Sequence, residues 1–304
     1  MPVKTHKPKQ ILFARHLLLK TIRSWFYKQG FWEIQVPCSA KEAIPEANID
    51  LFEIEGERYL LPSPELHLKP HLSLQVETFF HIGPAFRKGE KGTFHNTEFT
   101  LLEWYRSGVD YLALMDDCIE ILAVVFDSFK KKTSFKPRLA TAWNPDRGAC
   151  IFTIEDIFTE YAGWNPVELH DERRFEQDLV TKIEPVLPTD TPVILKDFPS
   201  WASSLSKVKD SDPRVCERFE LYLGGIELAN GFTELVDPQK QLIRFQKENL
   251  KRIKYGLKPI DPPKKFLTAL GHCPPSAGIA LGIDRLLMLL VEADHIRQVI
   301  PPLF

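Results

Sequence analysis

Residues 276–285 read SAGIALGIDR, and they deliver an arginine into the apolar run LLMLL. In an extended chain successive side chains alternate between faces, so Gly278, Ala280 and Gly282 share one face and Ala277, Ile279 and Leu281 the other. The branched face belongs in a core, whereas the small face lets a backbone, a helix or a ligand approach the sheet closely. The following residues, about 283 to 291, predict a helix with Arg285 in its first turn. A cation there opposes the macrodipole and gains nothing locally, so an anionic ligand accounts for Arg285 better than helix stability does.

A strand needs partners, and the chain offers them as hairpins. FFHIGPAFR (79–87) and TEFTLLEWYR (97–106) flank a polar loop that contains glycine, and FELYLGGIELANGF turns at Gly224-Gly225. Helical spacing of Ile11, Leu18, Ile22 and Trp25 predicts a helix from Gln10 to Gln29, closed by Gly30 and feeding a strand, FWEIQVP, whose Pro37 suits a sheet edge. Leu112, Met115, Ile119, Leu122 and Phe126 mark a second helix that Asp110 is placed to cap, and a charged helix spans about Pro238 to Tyr255. Residues 130 to 215, rich in Pro, Asp and Lys, are the least legible; they predict a helix near 153–161 and a strand at VILKDFP. Hairpin-paired strands with helices between them imply an α+β fold, an antiparallel sheet flanked by helices.

A chain of 304 residues with 44% hydrophobic and 26% charged content can bury a sizeable core, and a net charge of -2 provides no general drive towards nucleic acid. The cysteines, 5 in number and never at CxxC spacing, suit a reducing cytosol rather than a disulfide framework or zinc site. Neither a signal-type segment nor a run of about 18 apolar residues is present, so a cytoplasmic protein without a membrane partner is expected. Neither GxGxxG nor GxxxxGK[ST] occurs, which removes the usual phosphate cradles of parallel-sheet nucleotide folds.

Several residues stand out chemically. TEFTLLEWYR puts Phe99, Leu101, Glu103 and Tyr105 on one face, mixing a carboxylate and a phenol with apolar groups as a binding face does. The loop before it carries Arg87, Lys88, Lys91 and His95 around Gly89 and Gly92, a set that suits a polyphosphate, although taken alone it reads first as a solvated charged loop. A two-residue turn at Gly224-Gly225 puts Glu220, Tyr222, Glu227 and Ala229 on one face. Two carboxylates there either form a surface pair or share Mg²⁺ with substrate phosphates. Glu234 follows Asn230-Gly231, and Ser63-Pro64-Glu65 opens a short helix, LHLKPHL.

Together these stretches resemble the catalytic core of class II aminoacyl-tRNA synthetases, in particular the lysyl subgroup. GFWEIQVP is similar to motif 1, FRKGEKGTFHNTEFTLLEWY to motif 2 and AGIALGIDR to motif 3, with ERFELYLGGIELANGFTEL like the segment that binds metal and amino acid. Within that subgroup SPELHLK, FHNTEFTLLEWYR and GIELANGFTEL resemble the truncated paralogues that attach lysine or β-lysine to translation elongation factor P. Motif 1 begins within about thirty residues of the start, so one synthetase-like catalytic domain over residues 1–304 is expected, without an anticodon-binding domain and with tRNA an unlikely partner.

The resemblance implies ATP and Mg²⁺ as cofactors. Arg87 would hold the α-phosphate, His95, Asn96 and Leu228 would contact ATP, and Phe99 would stack on adenine with Arg285 across from it and reaching the γ-phosphate. Glu220 and Glu227 would bind Mg²⁺, and Gly282 would let the nucleotide lie close to the sheet. Ser63, Glu65 and Glu103 would line the pocket for the substrate amino group, and Tyr105 and Glu234 would hold the side-chain amine of lysine or β-lysine. The acceptor would be elongation factor P and the assembly a homodimer through motif 1. A synthetase paralogue with another acceptor or amino acid, and a catalytically silent regulatory subunit, remain alternatives.

Two positions depart from the pattern. Motif 2 usually reads Arg-x-Glu, but Gly89 stands where that glutamate belongs and Glu90 follows it, which puts catalytic efficiency in question. Lysyl-tRNA synthetases usually have glycine where Ala280 stands, whereas the elongation factor P ligases usually have alanine. One methyl group on a packed floor is worth about 1–3 kcal/mol of preference. Ala280→Gly is therefore expected to shift relative kcat/KM from β-lysine towards α-lysine, and an unchanged ratio removes Ala280 as the determinant.

Overall fold

The computed structural model describes residues 7–135, 137 and 143–301. Its centre is an eight-stranded sheet ordered β1-β5-β6-β11-β10-β9-β8-β7. These strands are β1 (Trp32–Glu33), β5 (Thr78–Phe86), β6 (Glu98–Ser107), β7 (Cys150–Thr153), β8 (Val193–Pro199), β9 (Val215–Leu223), β10 (Ile226–Thr233) and β11 (Ser276–Gly282); β2 (Ser39–Ala40), β3 (Phe52–Ile54) and β4 (Arg58–Leu60) form a small separate sheet. The fold is α+β, as expected, but the large sheet is mixed. Its outer pairs, β1 with β5 and β7 with β8, run parallel, and the six central strands are antiparallel. FWEIQVP supplies only two strand residues at the edge, because Ile34 already bonds Phe80 from outside the ladder and Pro37 has no N–H to continue it.

Helices α1 (Pro8–Lys28) and α3 (Tyr111–Lys132) cover one face of the sheet, with α8 (Ile283–Val291) beside them. The spacing that predicted α1 is the spacing it buries: Ile11, Leu18, Ile22 and Trp25 are all enclosed, and Phe26 stacks on Phe80 of β5 at 4.4 Å. Gly30 closes the helix at φ +81°, and Asp110 caps α3 by accepting from the Leu112 N–H. Ala277, Ile279 and Leu281 face this core, as the alternation of β11 requires.

The opposite face of the sheet stays open between shorter elements: α2 (Glu65–Leu68), α4 (Ile154–Tyr161), α5 (Glu172–Asp178), α6 (Pro238–Lys254) and α7 (Lys264–Leu270). The illegible middle contributes a second core, in which Phe158 stacks on Phe175 at 4.8 Å, over β7 and β8. Positions 136 and 138–142 of that stretch lie outside the described residues, as do 1–6 and 302–304. No helix among the described residues is long and apolar enough to cross a membrane.

Candidate active site

Two cavities open on the free face of the sheet. The first, about 250 Å³, is walled by Arg87, His95, Asn96, Phe99, Glu227 and Arg285 and floored by Ala280 and Gly282, with Leu228 also on its wall. The second, about 450 Å³, takes in Ser63, Glu65, Glu103, Tyr105, Glu220 and Gly278. They meet at Arg87, Asn230, Ala280 and Glu46, which line both. Strand pairing explains the convergence: β11 lies between β6 and β10, with Ala280 opposite Glu103 on one side and Asn230 on the other.

The small face of β11 serves two purposes. A Cβ on Gly278 would collide with the Tyr105 ring and the Glu234 carboxylate, so glycine is required by the protein's own side chains there. On Gly282 the nearest atoms a Cβ would meet are those of Arg285, at an ordinary 3.6 Å, so the protein's own packing does not require glycine there.

Arg285 has more local support than the sequence implies. Its guanidinium donates to the carbonyls of Phe94 and Glu227, lies 3.3 Å from Glu227 Oε2 and 2.7 Å from His95 Nε2. The carbonyls that compensate it, one in the motif 2 loop and one in β10, come from remote sequence, so no helix-local rule reveals them. Burial, then the neighbouring Arg285, hold His95 below its usual range, consistent with a neutral ring accepting at Nε2. The helix start is anchored by Asp284, which accepts from the Thr100 N–H at 2.6 Å and pairs with Arg15 of α1.

The acidic hairpin differs from its expected register. Both turn glycines are left-handed, φ +60° and +76°, as a tight hairpin requires. Leu228 then forms a β-bulge, so Ala229 faces Leu221 and the core, and Asn230 takes the place opposite Glu220. Asn230 thereby joins the site, accepting from Arg218 Nε at 3.3 Å. Glu220 and Glu227 are each paired with an arginine, Glu220 with Arg218 at 2.7 Å and Glu227 with Arg285. Burial still pushes Glu220 up to about 7, with Arg218 opposing and Glu227 adding to the shift. Among the described residues no three His, Cys, Asp or Glu side chains gather as a metal site. Glu220 and Glu227 offer the hard oxygen donors that a Mg²⁺ takes when phosphate oxygens and water complete its shell. Burial, with the nearby Glu227 adding to it, holds Glu184 of the illegible middle above its usual range.

Loop geometry also places the motif 2 residues. Gly89 is left-handed at φ +82°, so strand alternation does not apply, and Glu90 turns into the first cavity 3.7 Å from Arg87. The Arg87 guanidinium lies over the Phe99 ring at 5.2 Å, and Asn96 is held by donating to the Glu98 carbonyl at 2.7 Å.

Deeper in the second cavity the carboxylates outnumber the cations. Glu103 accepts from Ser63 at 2.5 Å and Tyr105 at 3.3 Å. Glu234 lies behind Tyr105 and Gly278, 2% exposed, with Oε2 2.6 Å from Lys69 and Oε1 buried without a hydrogen-bond partner. Lys69, 1% exposed, also pairs with Glu65, and the two carboxylates hold it above its usual value although burial alone would lower it. Sequence reading passes over Lys69 because a lysine four residues after Glu65 looks like a surface helix pair. Glu65, Glu103 and Glu234 thus gather near a single ammonium, that of Lys69, so carboxyl groups outnumber cations at this end of the cavity. Burial, with Glu65 adding to it, pushes Glu103 up to about 8 from 4.5.

A raised carboxylate binds more protons folded than unfolded, so its contribution is present at low pH and lost as pH rises from about 4.5 through 8. The ligand-free protein is therefore expected to melt at lower temperature at pH 8 than at pH 6. Glu103→Gln should flatten that slope and stabilise the protein at pH 8 by on the order of a few kcal/mol, at the expense of amino acid binding. Melting curves across this range that superimpose for parent and variant would exclude Glu103 as the source.

Residues 1–302 match the family model described as tRNA synthetases class II (D, K and N). The chain is 36% identical to the elongation factor P--(R)-beta-lysine ligase of Vibrio parahaemolyticus, over 95% of this chain and 94% of that one. It is 36% identical to the ligase of the same name from Vibrio cholerae, over 95% and 93%. With that of Hamiltonella defensa it shares 34% identity over 96% and 94%.

Proposed function

The chain belongs to the class II tRNA synthetase family (D, K and N), and on that premise we propose that it activates (R)-β-lysine or lysine with ATP and transfers the aminoacyl group to a lysine side chain of translation elongation factor P. The observation that carries this reading is the excess of carboxyl groups over cations at the deep end of the second cavity, which a substrate bringing two ammonium groups would offset. The names of the similar ligases supply the acceptor.

In this reading Glu65 and Glu103 hold the substrate amino group, and Tyr105 and Glu234 hold the side-chain amine. Arg87, at the junction of the cavities, neutralises charge developing at the α-phosphate while the substrate carboxylate attacks it in line and pyrophosphate leaves. His95, Asn96, Phe99, Leu228, Gly282 and Arg285 form the ATP site. Mg²⁺ held by Glu220 and Glu227 would supply further charge neutralisation on the phosphates. The short Arg87–Glu90 separation supports Glu90 as the stand-in for the motif 2 glutamate. We place the enzyme in the cytosol, supported by its free cysteines. We also propose a homodimer across the β1 edge, where Trp32 is 66% exposed.

Incubation with ATP, Mg²⁺, (R)-β-lysine and purified elongation factor P is expected to add one aminoacyl mass to a single lysine, with no charging of tRNA in parallel. Charging of tRNA without modification of the protein would overturn the acceptor. Absence of exchange with any α- or β-amino acid would favour a silent regulatory subunit.

A further inference from the structure

Transfer to a lysine side chain requires a proton acceptor, because an ammonium group carries no lone pair with which to attack an acyl carbon. We propose that Glu46 is that acceptor, a catalytic residue of the second half-reaction; the inference rests on the activity proposed above.

Three observations carry it. Glu46 lines both cavities, at the junction where an adenylate bound across them would present its acyl carbon. Of the carboxylates lining the two cavities, Glu46 alone has no side-chain hydrogen bond or ion pair among the described residues. Glu103 is held by Ser63 and Tyr105, Glu220 by Arg218 and Tyr222, Glu227 by Arg285, and even Glu176, at the mouth, by Asn48. The backbone beneath Glu46 is nevertheless clamped. The Glu46 carbonyl accepts from Arg252 of α6 at 2.7 Å, and the next N–H, that of Ala47, donates to Glu248 at 3.0 Å. A positioned but unpartnered carboxylate is what a general base needs, and a purely structural role does not account for it.

The electrostatic surroundings suit the task. Burial pushes Glu46 up to about 7; Arg87 opposes the shift, Glu65 and Glu248 add to it, and Arg218 opposes it. Arg252 of α6 also faces it. A base poised near neutrality is ionised often enough to act and basic enough to take a proton.

The step balances as follows. The acceptor ammonium gives one proton to the Glu46 carboxylate, and the freed amine attacks the acyl carbon of the adenylate. A C–N bond forms, the acyl C–O bond to phosphate breaks, and the second proton lost by nitrogen leaves with the departing AMP oxygen. Glu46 then returns its proton to water.

The test uses the full chain loaded with adenylate, freed of unbound ATP and mixed with elongation factor P between pH 5.5 and 9.5, with AMP release and protein mass both followed. For the parent, the second-order rate constant of transfer is expected to rise through about pH 7 and then level. For Glu46→Gln it should fall by about 10²–10⁴-fold at neutral pH. The residual rate should climb tenfold per pH unit towards the amine's own pKa, about 10.4. A Glu46→Gln variant that keeps the parental inflection, or one that loses adenylate formation as well, overturns the proposal. So does a parental profile that climbs without levelling, whatever the variant does. Failure of the parent to form adenylate sinks the activation reading and Glu46 with it, whereas normal parental transfer without the neutral inflection sinks Glu46 alone.

Discussion

Norleucine, which keeps the carbon chain of lysine but lacks the terminal amine, is expected to support pyrophosphate exchange about 10⁴-fold less well than lysine or β-lysine in kcat/KM. The difference corresponds to about 5.5 kcal/mol of transition-state stabilisation. Its source is the deep end of the second cavity, where Glu234 Oε1 is buried without a hydrogen-bond partner and Lys69 is shared between Glu234 and Glu65. An ammonium group entering beside Tyr105 satisfies that oxygen. A methyl group would instead leave that buried oxygen unsatisfied, a penalty larger than the loss of any single favourable contact. Such a site rejects what lacks the polar group far more strongly than it distinguishes one methylene from two. Discrimination below about thirtyfold would mean that the acidic floor does not read the amine, and the charge-balance argument would fail with it.

Arg87→Ala is expected to lower exchange by about 10²–10³-fold, with kcat and kcat/KM falling together. Arg87 directly follows β5 where both cavities meet, tethered to the Pro62 carbonyl at 3.4 Å and lying over Phe99. A guanidinium held there gains most when negative charge builds up on the group in transfer, so its loss should appear in turnover. Arg87→Lys should recover only part, because an ammonium can neither form the planar fork nor lie over the ring in the same way. A loss confined to KM for ATP, with kcat intact, would reassign Arg87 to ground-state binding.

Some of this was readable because it is local. Apolar spacing located α1 and α3, two adjacent glycines located the β9–β10 turn, and alternation located the two faces of β11. Other features were hidden for equally physical reasons. The bulge at Leu228 places Asn230 opposite Glu220, where a regular hairpin would place Ala229, and no pattern in ELANG announces the inserted residue. Lys69 resembles a solvent-exposed helix partner until Phe232 and Phe266 are found 5.5 Å from its ammonium. Glu172, Phe175 and Trp201 border the second cavity from a stretch with no legible period.

Short-range periodicity was enough to specify an α+β fold and the chemical types that strand geometry keeps on one sheet face, and the order of motifs added the resemblance to a synthetase core. Which of those groups are neutralised within the protein, and which are left over for a ligand, was decided only by tertiary packing. Glu46, Lys69, Asn230 and Glu234 are distant in sequence, and their charges and hydrogen bonds acquire meaning only when folding removes the water between them.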